Sequence, residues 1–159
     1  MCLALDGKLA ATGSSFTLPT GSAGKVLTLT VSFKDDDDNA YILVSSPTTV
    51  ADSLPTGVPL IRGTVRAGNT VSGDAGSIRD ADGLSSPNWK YAWVVGGTTR
   101  STARVWRVPL GFGGQVVQLR VTFTDDSGNT YTRNSRNVTL PADPDPPSIT
   151  FDFGGTGGD

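Results

Sequence analysis

The sequence predicts an all-β protein whose antiparallel sheets pack as a β-sandwich, and three observations support this. The 159 residues include 20 Gly and 10 Pro, and Thr, Val and Ser are abundant while strong helix formers are scarce. Apolar and polar residues alternate along several segments, as expected for strands with one buried face. The chain also contains an internal repeat whose period is close to the length of one sandwich domain.

The repeat has a period of 90 residues and requires no gap. Residues 16–41 superpose on residues 106–131, and the identities fall on the apolar alternation and on the turn residues. Two copies of one fold must share these positions. The period of 90 residues is longer than a solenoid repeat and matches a sandwich domain of about 100 residues.

Each copy contains a predicted β-hairpin. Residues 26–33 and 116–123 alternate apolar and polar side chains, which predicts one buried and one wet face for each strand. Segments rich in Asp and Asn follow and predict tight turns, because these side chains bond locally or tolerate positive φ. The turns are residues 35–39 and 125–129, and the returning strands are residues 40–46 and 130–136.

The second copy contains further strand signals separated by turn residues. They lie at residues 59–65, 69–78, 89–95 and 103–108. A turn at Gly96 and Gly97 separates the last two segments. We therefore expect six or seven strands between residues 59 and 140.

The period also divides the chain. We expect residues 1–50 to be the C-terminal part of a first repeat, 51–58 a linker, 59–140 a complete repeat, and 141–159 a Pro-rich linker, an extra strand and a Gly-rich tail. Met1 matches Tyr91, so the first copy is a truncated one that should present an unpaired sheet edge. Residues 148–153 alternate like the first strand of another repeat and could pair with the incomplete domain of a neighbouring copy.

The complete repeat carries motifs in a fixed order. They are DADGL at 80–84, Tyr91-Ala92-Trp93, Gly114, and VTFTDDSGN at 121–129. This pattern resembles the bacterial Ig-like repeats of large secreted, RTX-type adhesins. The resemblance implies an Ig-like sandwich with a structural or adhesive role. The final GGTGGD (154–159) is similar to the opening of the calcium-binding RTX nonapeptide, and a flexible Gly-rich tail is the alternative interpretation.

Several classes of function are excluded by missing residue types. The chain has no His, no Glu and one Cys, which removes the catalytic triad, the Cys–His pair and the thiolate zinc site. We therefore predict that it is not an enzyme. A net charge of −2 argues against nucleic-acid binding, and no apolar run reaches the ~20 residues of a membrane helix.

Aspartate clusters are the candidate chemistry, because Ca²⁺ prefers oxygen ligands. The candidate ligands are Asp35, Asp37, Asp80, Asp82, Asp125 and Asp126. Adjacent carboxylates repel one another, and a bound cation would relieve that repulsion. The alternative interpretation is that these residues form solvated turns, to which Asp is suited. The D-x-D-G motif starts like a calcium loop but lacks the closing Glu of an EF-hand.

Aromatic side chains are the second candidate site. Trp89 and Phe112 could form an exposed ligand surface, for example for stacking on a sugar. The alternative is a core role, since an Ig-like sandwich needs a large buried aromatic residue on a central strand. Trp93 or Tyr91 would fill that role.

Three functional hypotheses remain open. The first is a structural or adhesive module of an extracellular or cell-surface bacterial protein, which contacts neighbouring repeats, a surface glycan or a protein receptor. Head-to-tail self-association is part of this hypothesis, because residues 62–140 carry most of the Lys and Arg and lie between acidic segments. The second is a phage virion protein that decorates a capsid or forms part of a tail or fibre. The third is a carbohydrate-binding module.

Overall fold

A computed structural model of the chain describes residues 1–144. This part consists of thirteen strands joined by turns and loops, contains no helix, and forms three antiparallel sheets. The prediction of an all-β fold with antiparallel sheets is therefore confirmed. The extra strand predicted at 148–153 and the Gly-rich tail at 154–159 lie outside the described residues.

Residues 1–50 form one five-stranded sheet. Its strands are β1 (Cys2–Leu5), β2 (Lys8–Thr12), β3 (Val26–Lys34), β4 (Ala40–Val44) and β5 (Thr48–Thr49). The order is β2-β1-β3-β4, and the short β5 also pairs with β3. The turn between β3 and β4 is the predicted Asp-rich turn, so this hairpin forms as predicted.

Residues 59–140 contain eight strands. They are β6 (Leu60–Arg62), β7 (Thr70–Asp74), β8 (Lys90–Val95), β9 (Thr98–Ser101), β10 (Val105–Arg107), β11 (Val116–Thr124), β12 (Thr130–Asn134) and β13 (Val138–Thr139). The expectation of six or seven strands was too low. The strands that no sequence signal indicated are β9 and β13, which are short and rich in polar residues, so that they show no apolar alternation.

Two sheets enclose the core of this second repeat. One has the order β12-β11-β8-β9, with β13 also on β11, and the other has the order β10-β7-β6. Side chains from both sheets form one buried cluster. Trp93 on β8 is fully buried and stacks on Trp106 of β10 with ring centroids 5.5 Å apart. The core role of Trp93 is thus confirmed.

The 90-residue period is visible in the strand boundaries. Strands β3, β4 and β5 lie 90 residues before β11, β12 and β13, and β1 and β2 occupy the positions of β8 and β9. The five-stranded sheet thus occurs in both copies. The three-stranded sheet occurs only in the second: residues 15–17, which match β10, are not a strand.

The expected unpaired edges are present in the first copy, because among the described residues its outer strands β2 and β4 each pair with one neighbour only. Its sheet contains a counterpart of every strand in the five-stranded sheet of the second copy. Within residues 1–144, the first copy lacks a facing sheet, and an apolar face is therefore uncovered. The expectation of one buried face holds for β11, whose alternate residues are buried, but was wrong for β3, none of whose residues is fully buried.

Candidate metal centre

Three carboxylates meet where the linker reaches the second repeat. One oxygen each from Asp52, Asp82 and Asp125 lies within 4.8 Å of the others, and this group could hold a metal ion. Asp82 and Asp125 are only 9% and 5% exposed, whereas Asp52 is exposed. The three residues come from the linker, the loop between β7 and β8, and the β11–β12 turn. The site therefore depends on tertiary structure.

The β11–β12 turn holds Asp125 through its own hydrogen bonds. The Asn129 amide donates to Asp125 Oδ1 at 2.7 Å, and the Asp125 amide donates to the Asn129 carbonyl at 2.9 Å. Asn129 Nδ2 donates to Asp125 Oδ2 at 3.2 Å and also to Asp52 Oδ1 at 2.7 Å. The side chain of Asn129 thus connects two carboxylates of the cluster.

Tyr131 supports Asp52 from the adjoining strand β12. Its hydroxyl donates to Asp52 Oδ2, and this contact raises the pKa of the Tyr131 hydroxyl far above its ordinary value of 10.0. The cause is that ionisation of Tyr131 would remove the hydrogen bond and place a second negative charge beside the carboxylate. Asp52 is consequently positioned by two side chains of the hairpin that carries Asp125.

The loop that carries Asp82 binds both the linker and the first repeat. The Ser53 amide donates to Asp82 Oδ2 at 2.6 Å, and the Gly21 amide donates to the Asp82 carbonyl at 2.9 Å. The Asp82 amide in turn donates to Asp80 Oδ1 at 3.0 Å. The D-x-D-G segment is therefore a contact between the two repeats as well as part of the carboxylate cluster.

Asp80 adjoins this cluster through the hydrogen bond that it accepts from the Asp82 amide. Its Oδ2 atom is buried and has no hydrogen-bond partner. Burial raises the pKa of the Asp80 carboxyl above its ordinary value of 3.8, and the negative charges of Asp125, Asp82 and Asp52 add to this shift. Like charges in a partly desolvated site disfavour ionisation, and a bound cation would reverse that effect.

Of the six predicted ligands, the structure brings Asp82 and Asp125 together with Asp52, and Asp80 adjoins this group through its hydrogen bond from the Asp82 amide. Asp126 is engaged elsewhere, since its Oδ1 atom accepts hydrogen bonds from the Ser85 amide at 2.8 Å and the Ser85 hydroxyl at 2.7 Å. These bonds lower the pKa of the Asp126 carboxyl. Its backbone amide also donates to the Gly83 carbonyl at 3.0 Å, so Asp126 ties the hairpin turn to the loop that carries Asp82.

The remaining two predicted ligands lie in the turn of the first repeat. Asp35 Oδ1 accepts hydrogen bonds from the Asp37 amide at 3.0 Å and the Asn39 amide at 2.9 Å. Side-chain and backbone bonds from Asn39 are the main causes that lower the pKa of the Asp35 carboxyl. Neither Asp35 nor Asp37 belongs to a group of three carboxylates in the part of the chain that the structure describes.

Asp52 was missed because the linker was interpreted only as a spacer. A sequence signal was nevertheless present: an Ala-Asp pair occurs in both linkers, at Ala51-Asp52 and Ala142-Asp143. Asp143 also binds a repeat, since its Oδ2 atom accepts a hydrogen bond from the Gly111 amide at 2.7 Å. The linker Asp residues therefore have defined contacts.

The aromatic candidates are engaged with the second repeat. Trp89 is half-buried and packs on Phe123 with ring centroids 4.9 Å apart. Phe112 packs against the core, and the guanidinium of Arg100 lies 5.0 Å from its ring centroid. The exposed aromatic pair that sequence reasoning missed is Phe33 and Tyr41, which stack at 5.4 Å on the first sheet.

Comparison with known proteins gives no match for this chain among family models, curated proteins or solved structures. None of the described residues forms a helix long and apolar enough to cross a membrane.

Proposed function

We propose that this chain is a non-enzymatic structural module of an extracellular or cell-surface repeat protein, and that Ca²⁺ bound by its Asp cluster stiffens the junction between consecutive repeats. The observation that carries the proposal is the meeting of Asp52, Asp82 and Asp125 where the linker, the second repeat and the first repeat make contact. A cation held there would bind the linker to the second repeat.

The hydrogen bonds around the cluster favour a junction role. Gly21 of the first repeat and Ser53 of the linker both donate backbone hydrogen bonds to Asp82, one to its carbonyl and one to its side chain. Farther along the linker, the Thr56 amide donates to the Arg79 carbonyl at 2.8 Å, and the Arg79 amide donates to the Thr56 carbonyl at 3.1 Å. A cation that fixes Asp82 would therefore also fix the backbone of the first repeat at Gly21 and of the linker at Ser53.

The chemistry of the donors favours Ca²⁺. All the charged ligands are carboxylates, and Ca²⁺ accepts six to eight oxygen ligands in flexible geometry. Extracellular calcium modules commonly bind with dissociation constants of about 0.1–1 mM. Among residues 1–144, no Lys or Arg forms an ion pair with Asp52, Asp82 or Asp125. A divalent cation would therefore neutralise negative charges that no basic side chain compensates.

The test is calorimetric titration and thermal unfolding with Ca²⁺, with Mg²⁺ and with EDTA. The matched variants are Asp125→Asn and Asp35→Asn, because both residues occupy the same turn position and only Asp125 has the neighbouring carboxylates. We expect Ca²⁺ to raise the melting temperature of the native sequence and of Asp35→Asn but not of Asp125→Asn. Absence of binding by the native sequence at about 10 mM Ca²⁺ would refute the site.

The junction role requires a separate measurement. Small-angle scattering of the full chain in EDTA and in Ca²⁺ reports the distribution of distances between the repeats. We expect a narrower distribution in Ca²⁺ for Asp35→Asn and no change for Asp125→Asn. Calcium binding without any change in scattering would retain the site but contradict the proposed stiffening.

A further inference from the structure

None of residues 1–144 forms a sheet that covers one apolar face of the first sheet, here called the open face. Cross-strand pairs place its residues on one side: Leu29 pairs with Leu3, Phe33 with Tyr41, and Val31 with Leu43. Residues two apart on a strand point the same way. The open face consists of Leu3, Leu5, Leu27, Leu29, Val31, Phe33, Tyr41 and Leu43.

The second repeat shows what this face is suited to contact. The residues 90 positions later on the two central strands are Trp93, Val95, Val117, Leu119, Val121 and Phe123, all at most 1% exposed. They are covered by side chains of the three-stranded sheet. On the open face, Leu29 and Val31 are only half-buried, and Phe33 is 47% and Leu43 60% exposed.

All eight residues of the open face are uncharged, and seven of them have wholly apolar side chains. Contiguous apolar patches of this kind are uncommon on isolated soluble domains and usually mark an interaction surface. The composition excludes a highly charged partner, because burying unpaired charges against Leu, Val and Phe is strongly unfavourable. The partner must itself present an apolar and nearly flat surface.

We propose that a second copy of this chain covers the open face with its own, so that two first repeats form one β-sandwich across a two-fold axis. A twisted sheet packs well on a sheet of the same twist at a separation of about 10 Å. A two-fold arrangement joins identical surfaces, so the apolar residues of one copy meet those of the other. The intermolecular sandwich would resemble the sheet-on-sheet core inside the second repeat.

The area of the face is sufficient for such a dimer. Four strands spaced by about 4.8 Å, with a central strand of nine residues, give a face of roughly 20 by 25 Å. Two such faces would bury on the order of 1,000 Å², which is near the lower bound for a specific interface. A single strand, such as the one predicted at 148–153, is about 5 Å wide and would cover only a fraction of the face.

The test is the solution mass of the full chain from about 1 to 100 μM, measured by size exclusion with light scattering. The disrupting variant is Phe33→Arg, on the open face, and the control is Thr30→Arg, on the opposite face of the same sheet. The second repeat carries Arg120 at the position equivalent to Thr30, so an Arg is compatible with the fold at the control site. Phe33 is 47% exposed in the first repeat, whereas the equivalent Phe123 is 1% exposed under the facing sheet, so an Arg at position 33 opposes the sandwich contact. Circular dichroism verifies that both variants are folded.

We expect a dimer for the native sequence and for Thr30→Arg, and dimerisation at least tenfold weaker for Phe33→Arg. A monomeric native chain, or equal dimerisation of both variants, would overturn the proposal. The triple variant Ile149→Ser/Phe151→Ser/Phe153→Ser should remain dimeric, and its conversion to a monomer would assign the contact to the C-terminal segment instead. The same result is expected in Ca²⁺ and in EDTA, so the outcome is independent of the proposed calcium site.

Discussion

Asp35 and Asp125 occupy the same position of the same turn, 90 residues apart, but have different surroundings. Each accepts a hydrogen bond from the amide of the Asn four residues later, at 2.9 and 2.7 Å. Only Asp125 has Asp52 and Asp82 beside it. The turn sequence therefore determines the local conformation, whereas packing of the linker and of the β7–β8 loop creates the candidate metal centre.

The two equivalent leucines of the central strands should respond differently to truncation. Leu119→Ala should lower the free energy of unfolding of the second repeat by about 2–5 kcal/mol, because Leu119 is fully buried and its removal leaves a cavity. Leu29→Ala should change that transition by less than about 0.5 kcal/mol, because Leu29 lies in another sheet.

Urea unfolding followed by tryptophan fluorescence checks this prediction. All three Trp residues lie between residues 89 and 106, so the signal reports the second repeat. A large effect of Leu29→Ala on the fluorescence transition would show that the two repeats unfold as one unit.

Substitution of Gly83 should weaken the contact between the repeats. A Cβ atom at Gly83 would collide with Asp126 Oδ2 and approach Thr20 Cβ of the first repeat to 2.8 Å, and the φ of Gly83 is +97°. Gly128→Ala is the control, because its φ is +91° and its Cβ would meet open space.

Gly128→Ala should lower the free energy of unfolding by about 1–2 kcal/mol through backbone strain alone. Gly83→Ala should lower the free energy of unfolding by about 1–3 kcal/mol more than Gly128→Ala does, because its Cβ atom also overpacks the contact. Urea denaturation measures both changes, and equal effects would argue against a tight contact at Gly83.

Asp80 should make stability decrease as the pH rises. Its folded-state pKa is raised above 3.8, so the folded protein binds the proton more tightly than the unfolded chain does. The free energy of unfolding therefore falls as the pH rises from 3.8 through the folded-state pKa and stays lower above it. Asp80→Asn should remove this loss, so its stability relative to the native sequence should grow with pH in EDTA.

Asp74 provides a control, because the pKa of its carboxyl is shifted in the opposite direction to that of Asp80. A hydrogen bond from the Gly76 amide and contacts with Arg62 lower its pKa, so its stabilisation is present above pH 3.8 and is lost as the pH falls through the folded-state pKa. Asp74→Asn should therefore be destabilising at neutral pH, with a difference from the native sequence that shrinks in acid. Urea unfolding between about pH 3 and pH 7 measures both differences. Parallel pH profiles for the two variants would contradict these assignments.

Tyr131 should ionise at a higher pH than a free tyrosine, because its hydroxyl donates to Asp52. Ultraviolet titration of the native sequence should show a late tyrosinate step that is absent in Tyr131→Phe. Asp52→Asn should move this step to lower pH, since it removes the neighbouring negative charge. A titration curve unaffected by Asp52→Asn would show that the two side chains do not interact in solution.

Much of the fold follows from local patterns. The alternation in residues 116–123 and the Asp-rich turn after it predict the β11–β12 hairpin, because strand periodicity and turn chemistry act over a few residues. The same reasoning does not detect Asp52, whose partners Asn129 and Tyr131 are 77 and 79 residues away in sequence. It also does not predict that Trp89 packs on Phe123.

The sequence by itself determined that this protein is all-β, that it carries a repeat with a period of 90 residues, and that each copy contains a hairpin closed by an Asp-rich turn. These properties depend on composition, period and local alternation, which each segment carries independently of its neighbours. Only the tertiary structure decided that Asp82 and Asp125 meet Asp52, and that Leu29 is half-exposed while Leu119 is buried. Burial and charge clustering depend on which distant segments pack together. Strands β3 and β11 share the same apolar alternation but acquire different environments because, within residues 1–144, only β11 has a facing sheet.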